Sequence, residues 1–385
     1  MWLQSINLSH YRNYDDLALD FSQSINVFLG ENAQGKTNLI ESIYVLALAR
    51  SHRTSKEREL IQWQKDFASI SGKVMKRQQS FPLHLTISKD GKIAKINHLE
   101  QKKLSDYIGQ MNVILFAPED LSLVKGSPAV RRNFLDRELG QLDRIYLHHL
   151  VQYQKILKQR NEYLKIIQHK KNPDFVFLDI LTEQLAAEGA EVLKRRQSFI
   201  AQLEEWARPI QSDISSGKET LSIQYETKVN LSQTEETIDI YDQLLTFYQE
   251  DVEKDIQQRT TTIGPHRDDL IFKINERSVK TYGSQGQQRT VALSLKLAEI
   301  ELMKKITGEY PILLLDDVLS ELDDERQTHL LSSIQNKVQT FLTTTSLDGV
   351  RMDLLNNPTI FMIEGGKAKQ IQLQEDEFSV MNDKE

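Results

Sequence analysis

Apolar residues in the first third of the chain fall in short runs separated by turn residues, a pattern that predicts β-strands. These runs lie at 2–8, 17–21, 25–29, 81–87, 93–96 and 111–116. Asp90-Gly91 joins two of them and is typical of a tight hairpin turn. We expect a β-rich N-terminal region with one helix at 38–46, where the apolar spacing becomes helical.

The middle of the chain has a different period, because its apolar residues recur at steps of three and four. One stripe runs from Leu135 to Leu164 and a second from Leu181 to Trp206, and each predicts an amphipathic helix. Asn172-Pro173 would break the helix between them, so the stripes predict an antiparallel helical hairpin. A last helix near 240–256 would complete a lobe whose stripes pack on each other, since they are too short and too often polar for a clear coiled coil.

Strand-like runs return near the C-terminus, at 270–274, 278–282 and 312–315. The predicted fold class is therefore α/β, with mixed β-sheets and helices and a helical lobe inserted in the middle of the chain. The expected divisions are 1–120 and 259–370 as two halves of one domain, 121–258 as the inserted lobe, and 371–385 as a frayed tail.

The most informative motif matches the phosphate-loop pattern G-x-x-x-x-G-K-[ST] and lies between the strand 25–29 and the helix 38–46. In this context backbone N–H groups converge on an anion at a helix N-terminus. Lys36 would contact the β- and γ-phosphates of a nucleoside triphosphate, and the Thr37 hydroxyl would ligate Mg²⁺. The predicted binding residues are Gly30, Glu31, Asn32, Ala33, Gln34, Gly35, Lys36 and Thr37.

Asp316-Asp317 follows the apolar run 312–315, at the end of a predicted strand where α/β sheets bind ligands. Asp316 would complete the Mg²⁺ site with Thr37, and Asp317 would orient or deprotonate the attacking water. The predicted catalytic residues are thus Lys36 and Asp317, and the predicted metal ligands are Thr37 and Asp316. Two aspartates after a strand could also be a capped turn, but the phosphate loop favours the catalytic interpretation.

A second glycine segment, Ser284-Gln285-Gly286-Gln287, offers a hydroxyl and backbone N–H groups at a predicted helix N-terminus. In isolation it would be an ordinary N-cap. Because it accompanies a phosphate loop and an aspartate pair, we include Ser284, Gly286 and Gln287 among the predicted nucleotide-binding residues.

The order of phosphate loop, Ser-x-Gly-Gln signature and Asp-Asp strand resembles the ATP-binding-cassette ATPase family. The strings at 8–14, 116–121, 264–270 and 314–323 are similar to those of cassette ATPases that act as bacterial recombination mediators. The resemblance implies an ATP-dependent homodimer in which the signature of one subunit closes over the nucleotide held by the other. It also assigns Arg12 to the vicinity of the phosphates and Asp323 to a loop that couples the two sites.

The same resemblance implies DNA binding at gaps between duplex and single strand, and assistance to RecO and RecR in loading RecA. The implied roles are DNA repair, recombination, replication restart and the SOS response. The function of His266-Arg267-Asp268-Asp269 stays open at this point, between a salt-bridge network and a ligand site.

Departures from the cassette pattern predict slow hydrolysis of ATP. Asp317 stands where many members have glutamate, and a misplacement of about 1 Å can cost about a hundredfold in rate. Thr343 and its neighbours stand where a histidine is usual, and no glutamine follows Phe116. We expect a slow, DNA-stimulated ATPase in which hydrolysis acts as a switch. The alternative is that ATP acts only as glue between two subunits and that its hydrolysis is incidental.

Two other cassette classes share these motifs. An SMC-type DNA-tethering ATPase would carry a long coiled coil, whereas the insertion 121–258 is short and contains Pro173. A transporter nucleotide-binding subunit would have its signature nearer the phosphate loop, and it ranks lower still.

Composition and charge limit where DNA could contact the protein and where in the cell we expect it to act. Because the net charge is −7, any DNA contact must come from local basic clusters. Three candidates lie at 50–58, 73–77 and 155–171, and the alternative for each is a charged surface that is simply solvated. The chain has no cysteine, its nine histidines show no metal-ligand spacing, and no apolar run approaches the roughly 18 residues of a membrane span. Met1–Ser5 does not resemble a signal peptide, so we expect a cytoplasmic protein.

Overall fold

The computed structural model describes residues 1–168, 174–231, 236–347, 351, 354–355 and 357–371. The strands are β1 (Trp2–Tyr11), β2 (Tyr14–Asp20), β3 (Ile25–Leu29), β4 (Phe67–Lys76), β5 (Gln79–Ser88), β6 (Gly91–Ile96), β7 (Leu99–Glu100), β8 (Val113–Phe116), β9 (Leu221–Glu226), β10 (Asp269–Ile274), β11 (Arg277–Ser278), β12 (Ile312–Asp316), β13 (Thr340–Thr344), β14 (Thr359–Glu364) and β15 (Lys367–Ile371). The helices are α1 (Lys36–Leu48), α2 (Leu104–Tyr107), α3 (Ser122–Lys125), α4 (Pro128–Leu142), α5 (Arg144–Ile167), α6 (Phe175–Ile214), α7 (Thr237–Glu250), α8 (Val252–Gln258), α9 (Val279–Tyr282), α10 (Gln285–Thr307) and α11 (Asp324–Ile334). The predicted break at Asn172-Pro173 and the predicted tail after Ile371 lie outside the described residues.

The chain forms two compact units, of which the first is Met1–Leu121 with Ala292–Glu385 and the second is Ser122–Val291. The second unit extends beyond the inserted lobe expected at 121–258. The reason is strand pairing, because β10 pairs antiparallel with β9 along its whole length and so ties residues after 259 to the helical region.

The first unit contains two six-stranded sheets. One is antiparallel, in the order β2-β1-β4-β5-β6-β7. The other has the order β15-β14-β3-β13-β12-β8 and is parallel except for its edge strand β15. Helix α1 contacts strands of both sheets, and its residues from Leu39 to Leu48 are buried, as expected of a helix that is apolar on all sides. These sheets and helices confirm the predicted α/β class.

Parallel pairing brings three strand ends to one edge of the second sheet. The phosphate-loop motif follows β3, the Asp-Asp pair follows β12, and Thr343 lies near the end of β13. Since β13 lies between β3 and β12, residues that are far apart in sequence meet at this edge.

The second unit is mainly helical, with α5 and α6 packed on each other. The single helix predicted at 135–164 is wrong, because α4 ends at Leu142 and Asp143 caps a new helix by accepting N–H groups from Ile145 and Tyr146. The helix predicted near 240–256 is likewise divided into α7 and α8.

The strand predicted at 278–282 is also wrong. Pairing with β10 stops at Ser278, and Val279–Tyr282 forms a helical turn closed by a hydrogen bond from Gly283 N to Val279 O. The β-branched residues that suggested a strand have no further partner strand here, so tertiary context overrides propensity. Among the described residues, no helix has the length and apolar character to cross a membrane.

Candidate functional site

The phosphate-loop motif forms the connection between β3 and α1. Ala33 has a φ of 65° and Gly35 a φ of 118°, so the loop curls through left-handed conformations before the helix begins. The φ of Gly35 favours glycine, and a Cβ atom there would also lie 2.5 Å from Nδ2 of Asn13 and 2.9 Å from the Tyr14 hydroxyl. Glu31 and Asn32 are exposed, which leaves the outer side of the loop open to solvent.

The Lys36 ammonium lies against the inner side of this loop. Its Nζ atom donates hydrogen bonds to the backbone oxygens of Gly30 (2.6 Å) and Glu31 (2.7 Å). Burial lowers the pKa of Lys36, and the negative charges of Asp317 and Asp316 oppose that shift. The side chain is therefore a desolvated cation close to both aspartates, which suits it to an anionic ligand.

Thr37 and Asp316 meet although they are 279 residues apart in sequence. The Thr37 hydroxyl donates to Oδ1 of Asp316 at 3.1 Å, and the Thr343 hydroxyl donates to the same oxygen at 2.9 Å. Burial raises the pKa of Asp316, whereas these two hydrogen bonds lower it. Neighbouring oxygen ligands of octahedral Mg²⁺ are about 2.9 Å apart, so the Thr37 and Asp316 oxygens fit two positions around one ion.

The described residues contain no cluster of three or more His, Cys, Asp or Glu side chains that could hold a metal ion. Mg²⁺ is commonly held by one or two protein oxygens together with phosphates and water, so a pair such as Thr37 and Asp316 would suffice as its protein ligands.

Asp317 has a backbone conformation that is rare for a residue with a side chain. Its φ is 52°, its side chain is exposed, and its N–H donates to the Thr343 hydroxyl at 2.8 Å. Such strain typically costs about 1–3 kcal/mol and persists where surrounding contacts enforce it. Two hydroxyl groups hold it here: Thr343 contacts both Asp316 and the Asp317 N–H, and Ser320 donates to the backbone oxygen of Asp317 at 2.8 Å. The sequence had marked the position of Thr343 only by the absence of a histidine.

Arg12 lies in the turn between β1 and β2. Its guanidinium forms two hydrogen bonds of 2.8 Å with the carboxylate of Glu41, which is fully buried on α1. Burial would raise the pKa of Glu41, but hydrogen bonds from Arg12 and Ser51 and the nearby cationic charges lower it overall. The neighbouring Asn13 donates to the backbone oxygen of Gln34 at 3.2 Å, so this turn touches the phosphate loop. Glu41 was not predicted, although a glutamate inside the apolar helix 38–46 was a usable signal.

The predicted signature residues belong to the second unit. Ser284 and Gln287 form a reciprocal cap at the start of α10, with Gln287 N donating to Ser284 Oγ (3.2 Å) and Ser284 N donating to Gln287 Oε1 (2.9 Å). Gln287 also donates to Glu219 at 2.9 Å. Ser284 is exposed and Gly286 is partly buried, so a hydroxyl group at a helix N-terminus faces solvent. Asp323 in the first unit caps α11 by accepting from Arg326 N.

The motif His266-Arg267-Asp268-Asp269 forms a network within the second unit. Asp269 binds Arg131 through two hydrogen bonds (2.6 and 2.8 Å), and Asp268 accepts from the Tyr225 hydroxyl at 2.9 Å. His266 Nδ1 accepts from the Tyr153 hydroxyl at 2.6 Å, and its Nε2 donates to the backbone oxygen of Thr261.

Burial lowers the pKa of His266 to about 4 and raises that of Asp268 to about 6. A cavity of about 150 Å³ adjoins this motif, and its lining includes Arg132, Arg196 and His266. Because Arg196 is paired with Asp136 and also binds the backbone of Pro265, the geometry favours a structural network over a ligand site.

The basic clusters differ in how many of their Arg and Lys side chains already form hydrogen bonds or ion pairs within the protein. Arg50 is exposed, whereas Arg53 donates to Asn38 at 2.8 Å and lies 3.7 Å from Glu41. In the cluster at 73–77, Lys76 binds two backbone oxygens and Arg77 binds a third. Part of the cluster at 155–171 lies outside the described residues.

Comparison with known proteins supplies the family. Residues 2–368 match the family model described as RecF/RecN/SMC N terminal domain. A DNA replication and repair protein RecF from Pediococcus pentosaceus is 56% identical over 370 residues, which is 96% of this chain and 99% of that protein. The protein of the same name from Enterococcus faecalis is 57% identical, over 96% of this chain and 99% of its own length.

A solved structure of the recombination mediator protein RecF with ATPrS, in the RecFOR pathway, has a TM-score of 0.90 and 33% identity. The match covers 96% of this chain and 98% of the chain in that solved structure. These similarities span nearly the whole sequence, including both units and every predicted site residue. The chain belongs to the RecF family of DNA replication and repair proteins.

Proposed function

We propose that this protein is an ATP-dependent DNA-binding protein of recombinational repair, which forms a dimer when it holds ATP. The observation that carries the proposal is the assembly of Lys36, Thr37, Asp316 and Asp317 at one edge of a parallel sheet, beside a glycine loop with an open outer side. A similar solved structure, of the recombination mediator protein RecF with ATP, supports the choice of nucleotide.

In this proposal the loop from Gly30 to Thr37 binds the triphosphate, and Lys36 exchanges its two backbone acceptors for phosphate oxygens. Thr37 and Asp316 hold Mg²⁺, which when bound supplies positive charge next to the β- and γ-phosphates. Arg12 lies on a turn that is fixed to the loop by Asn13, and it would approach the phosphates with its guanidinium still paired with Glu41. Ser284, Gly286 and Gln287 act on the nucleotide of a second copy, since exposed helix N-termini bind anions.

Hydrolysis is proposed to be slow and to act as a switch that opens the dimer. Asp317 is the candidate base for water, and its strained backbone fixes the origin of a short side chain. A single-turnover measurement on ATP-loaded protein, comparing the wild type with Asp317→Asn, tests this role. We expect the variant to retain bound ATP without cleaving it. Equal rates of cleavage would show that Asp317 is not the base, whereas a wild type that keeps its bound ATP uncleaved would mean that ATP acts only as glue.

The DNA-binding part of the proposal includes gapped, duplex and single-stranded DNA, and the protein partners RecO and RecR. It extends to RecA loading, replication restart and the SOS response in the cytoplasm. Support comes from the names of the relatives and from the RecFOR pathway named for the similar solved structure. Neither of the other cassette classes, SMC-type or transporter, is favoured by a specific contact in this chain.

Sedimentation velocity provides the main test. The full chain would be measured alone, with ATP and Mg²⁺, and with ATP, Mg²⁺ and gapped, duplex or single-stranded DNA. We expect a monomer without nucleotide, a dimer with ATP, and the strongest DNA association in the presence of ATP. A protein that binds ATP yet stays monomeric in every mixture would refute the dimer, and with it the role of Ser284.

A further inference from the structure

The phosphate loop is held at Gln34 and Gly35 by two turns that lie outside the phosphate-loop motif itself. One is the β1–β2 turn, where Asn13 Nδ2 donates to Gln34 O at 3.2 Å and the Tyr14 hydroxyl donates to Gly35 O at 3.0 Å. The other is the Gly365-Gly366 turn between β14 and β15, which lies 331 residues away in sequence. We name these four residues, Asn13, Tyr14, Gly365 and Gly366, the loop brace.

Gln34 is the residue that the two turns share. Gly365 N donates to its side-chain Oε1 at 2.8 Å, and Gly366 N donates to its backbone oxygen at 3.2 Å. That backbone oxygen also accepts the Asn13 amide, so the peptide group after Gln34 is fixed by donors from both turns. The next residue, Gly35, immediately precedes Lys36 and the start of α1.

Close contacts show how tightly the brace fits. A Cβ atom on Gly366 would lie 2.4 Å from the backbone oxygen of Asn13, which is too close for any side chain. A Cβ atom on Gly30, at the other end of the loop, would lie 2.4 Å from the backbone oxygen of Ile363 in β14. Because β14 pairs in parallel with β3, the strand that leads into the loop, the hairpin of β14 and β15 supports the loop from its first glycine to Gln34.

We propose that the loop brace positions the phosphate loop for nucleotide binding, and that the Gly365-Gly366 turn is the element that sets its curvature. Backbone N–H groups bind phosphate strongly only when they already converge on one point, since otherwise binding must also order the loop. By fixing Gln34, the brace removes that ordering. The inference rests on the proposed function, because it assumes that the loop binds a triphosphate.

The two glycines of the turn offer a matched pair of variants. Both have left-handed backbones, with φ of 55° at Gly365 and 74° at Gly366, so alanine introduces similar backbone strain at each. Only Gly366→Ala meets an obstacle, because nothing lies within 4 Å of a Cβ atom on Gly365. A difference between the two variants therefore reports the contact with Asn13 and not the strain.

The experiment measures the dissociation constants of ATP with Mg²⁺ and of inorganic triphosphate for the full chain, together with its thermal unfolding. We expect Gly366→Ala to weaken both ligands by about tenfold or more, and Gly365→Ala to change them by less than about twofold. The loss should be similar for the two ligands, because inorganic triphosphate contacts the loop without a nucleoside. A merely structural role would lower the unfolding temperature of both variants and leave both affinities alike.

Equal affinities for the two variants, measured well below their unfolding temperatures, would overturn the proposal. If Gly366→Ala does not fold, the exposed Asn13→Ala carries the test, since it removes one donor to Gln34 and should weaken ATP by about threefold. Wild-type affinity in that variant would equally overturn it. A wild-type chain that binds neither ATP nor triphosphate would instead refute the proposed function, which separates the two failures.

Discussion

The phosphate loop and the segment 264–270 both combine glycine with charged residues, yet the structure uses them in opposite ways. The brace holds the phosphate loop at Gln34, while Glu31 and Asn32 are exposed to solvent. In 264–270 the charged and polar groups are bound by neighbouring helices and strands, as Arg131 binds Asp269. A charged glycine segment can therefore bind a ligand where its backbone stays open to solvent, and it joins elements of the fold where most of its polar groups are paired with neighbouring elements.

The largest expected effect comes from breaking the network at 264–270. Arg196 is almost fully buried and binds Asp136 at 2.6 Å and the backbone oxygen of Pro265 at 2.7 Å, so Arg196→Met removes the cation at the centre of a largely buried network. We expect a loss of about 3–5 kcal/mol in the free energy of unfolding, measured by urea denaturation. Arg208→Met is the control, because Arg208 pairs with Glu204 on the surface and should cost less than about 1 kcal/mol. Similar losses in the two variants would contradict the comparison.

The second expected effect is a dependence of the free energy of unfolding on pH. The pKa of Asp268 is raised from 3.8 to about 6 in the folded protein, so the stability it contributes is full below about pH 4 and lost as the pH rises through 6. Above that range the ionised carboxylate destabilises the fold by up to about 3 kcal/mol, which Asp268→Asn should recover.

His266 works in the opposite direction, because its pKa is lowered from 6.5 to about 4. The stability that neutral His266 contributes is full above pH 6.5 and is lost as the pH falls towards 4. The Asp268→Asn variant, which lacks the opposing carboxylate, should therefore become steadily more stable as the pH rises from 4 to 6.5. Urea denaturation at about pH 4.5 and about pH 7.5 measures both effects. A stability difference between variant and wild type that is the same at both pH values would show that Asp268 does not titrate there.

The third effect tests the open loop. Lys36→Arg keeps the charge but replaces a compact ammonium with a planar guanidinium, which cannot occupy the same position against the loop. We expect ATP binding and ATP-dependent dimerisation to weaken by about 10-fold to 100-fold, with little change in the unfolding curve. Lys65→Arg, at a partly exposed position where the ammonium lies 3.6 Å from Asp15, serves as the control for the same exchange. Normal dimer formation by Lys36→Arg would show that Lys36 does not have the proposed role in binding the nucleotide.

The smallest effect concerns DNA. Arg50 is exposed, whereas Arg53 is already engaged by Asn38 and lies near Glu41, so Arg50 has the freer charge. Replacing Arg50 with glutamine should reduce the slope of log affinity against log salt by about 1, and Arg53→Gln should reduce it less. Replacing both should flatten it further. An unchanged slope in the double variant would move the DNA contact to another cluster.

Local patterns in the sequence predicted much of the first unit. The strand, glycine loop and helix around Lys36 were visible because each has its own periodicity or motif, and the apolar run before Asp316 marked a central strand. The loop brace was not predictable in this way, because Gly365 is joined to Gln34 only through the folding of the whole sheet.

The errors in the second unit have local causes. The apolar stripe hid the break at Asp143, although aspartate is a favoured N-cap and could have suggested it. At 278–282 the β-branched residues suggested a strand whose neighbours run out after Ser278. Propensity describes a residue, whereas a strand also needs a partner, and the partner was not visible from the sequence.

Thr343 has a consequence for how the site responds to pH. Its hydroxyl joins the two aspartates at the place where an imidazole would be usual in cassette ATPases. A hydroxyl keeps the same charge across the physiological range, whereas an imidazole gains a proton as the cytosol acidifies. The hydrogen bonds by which Thr343 joins Asp316 to the backbone of Asp317 therefore contain no imidazole that would gain a proton in this range.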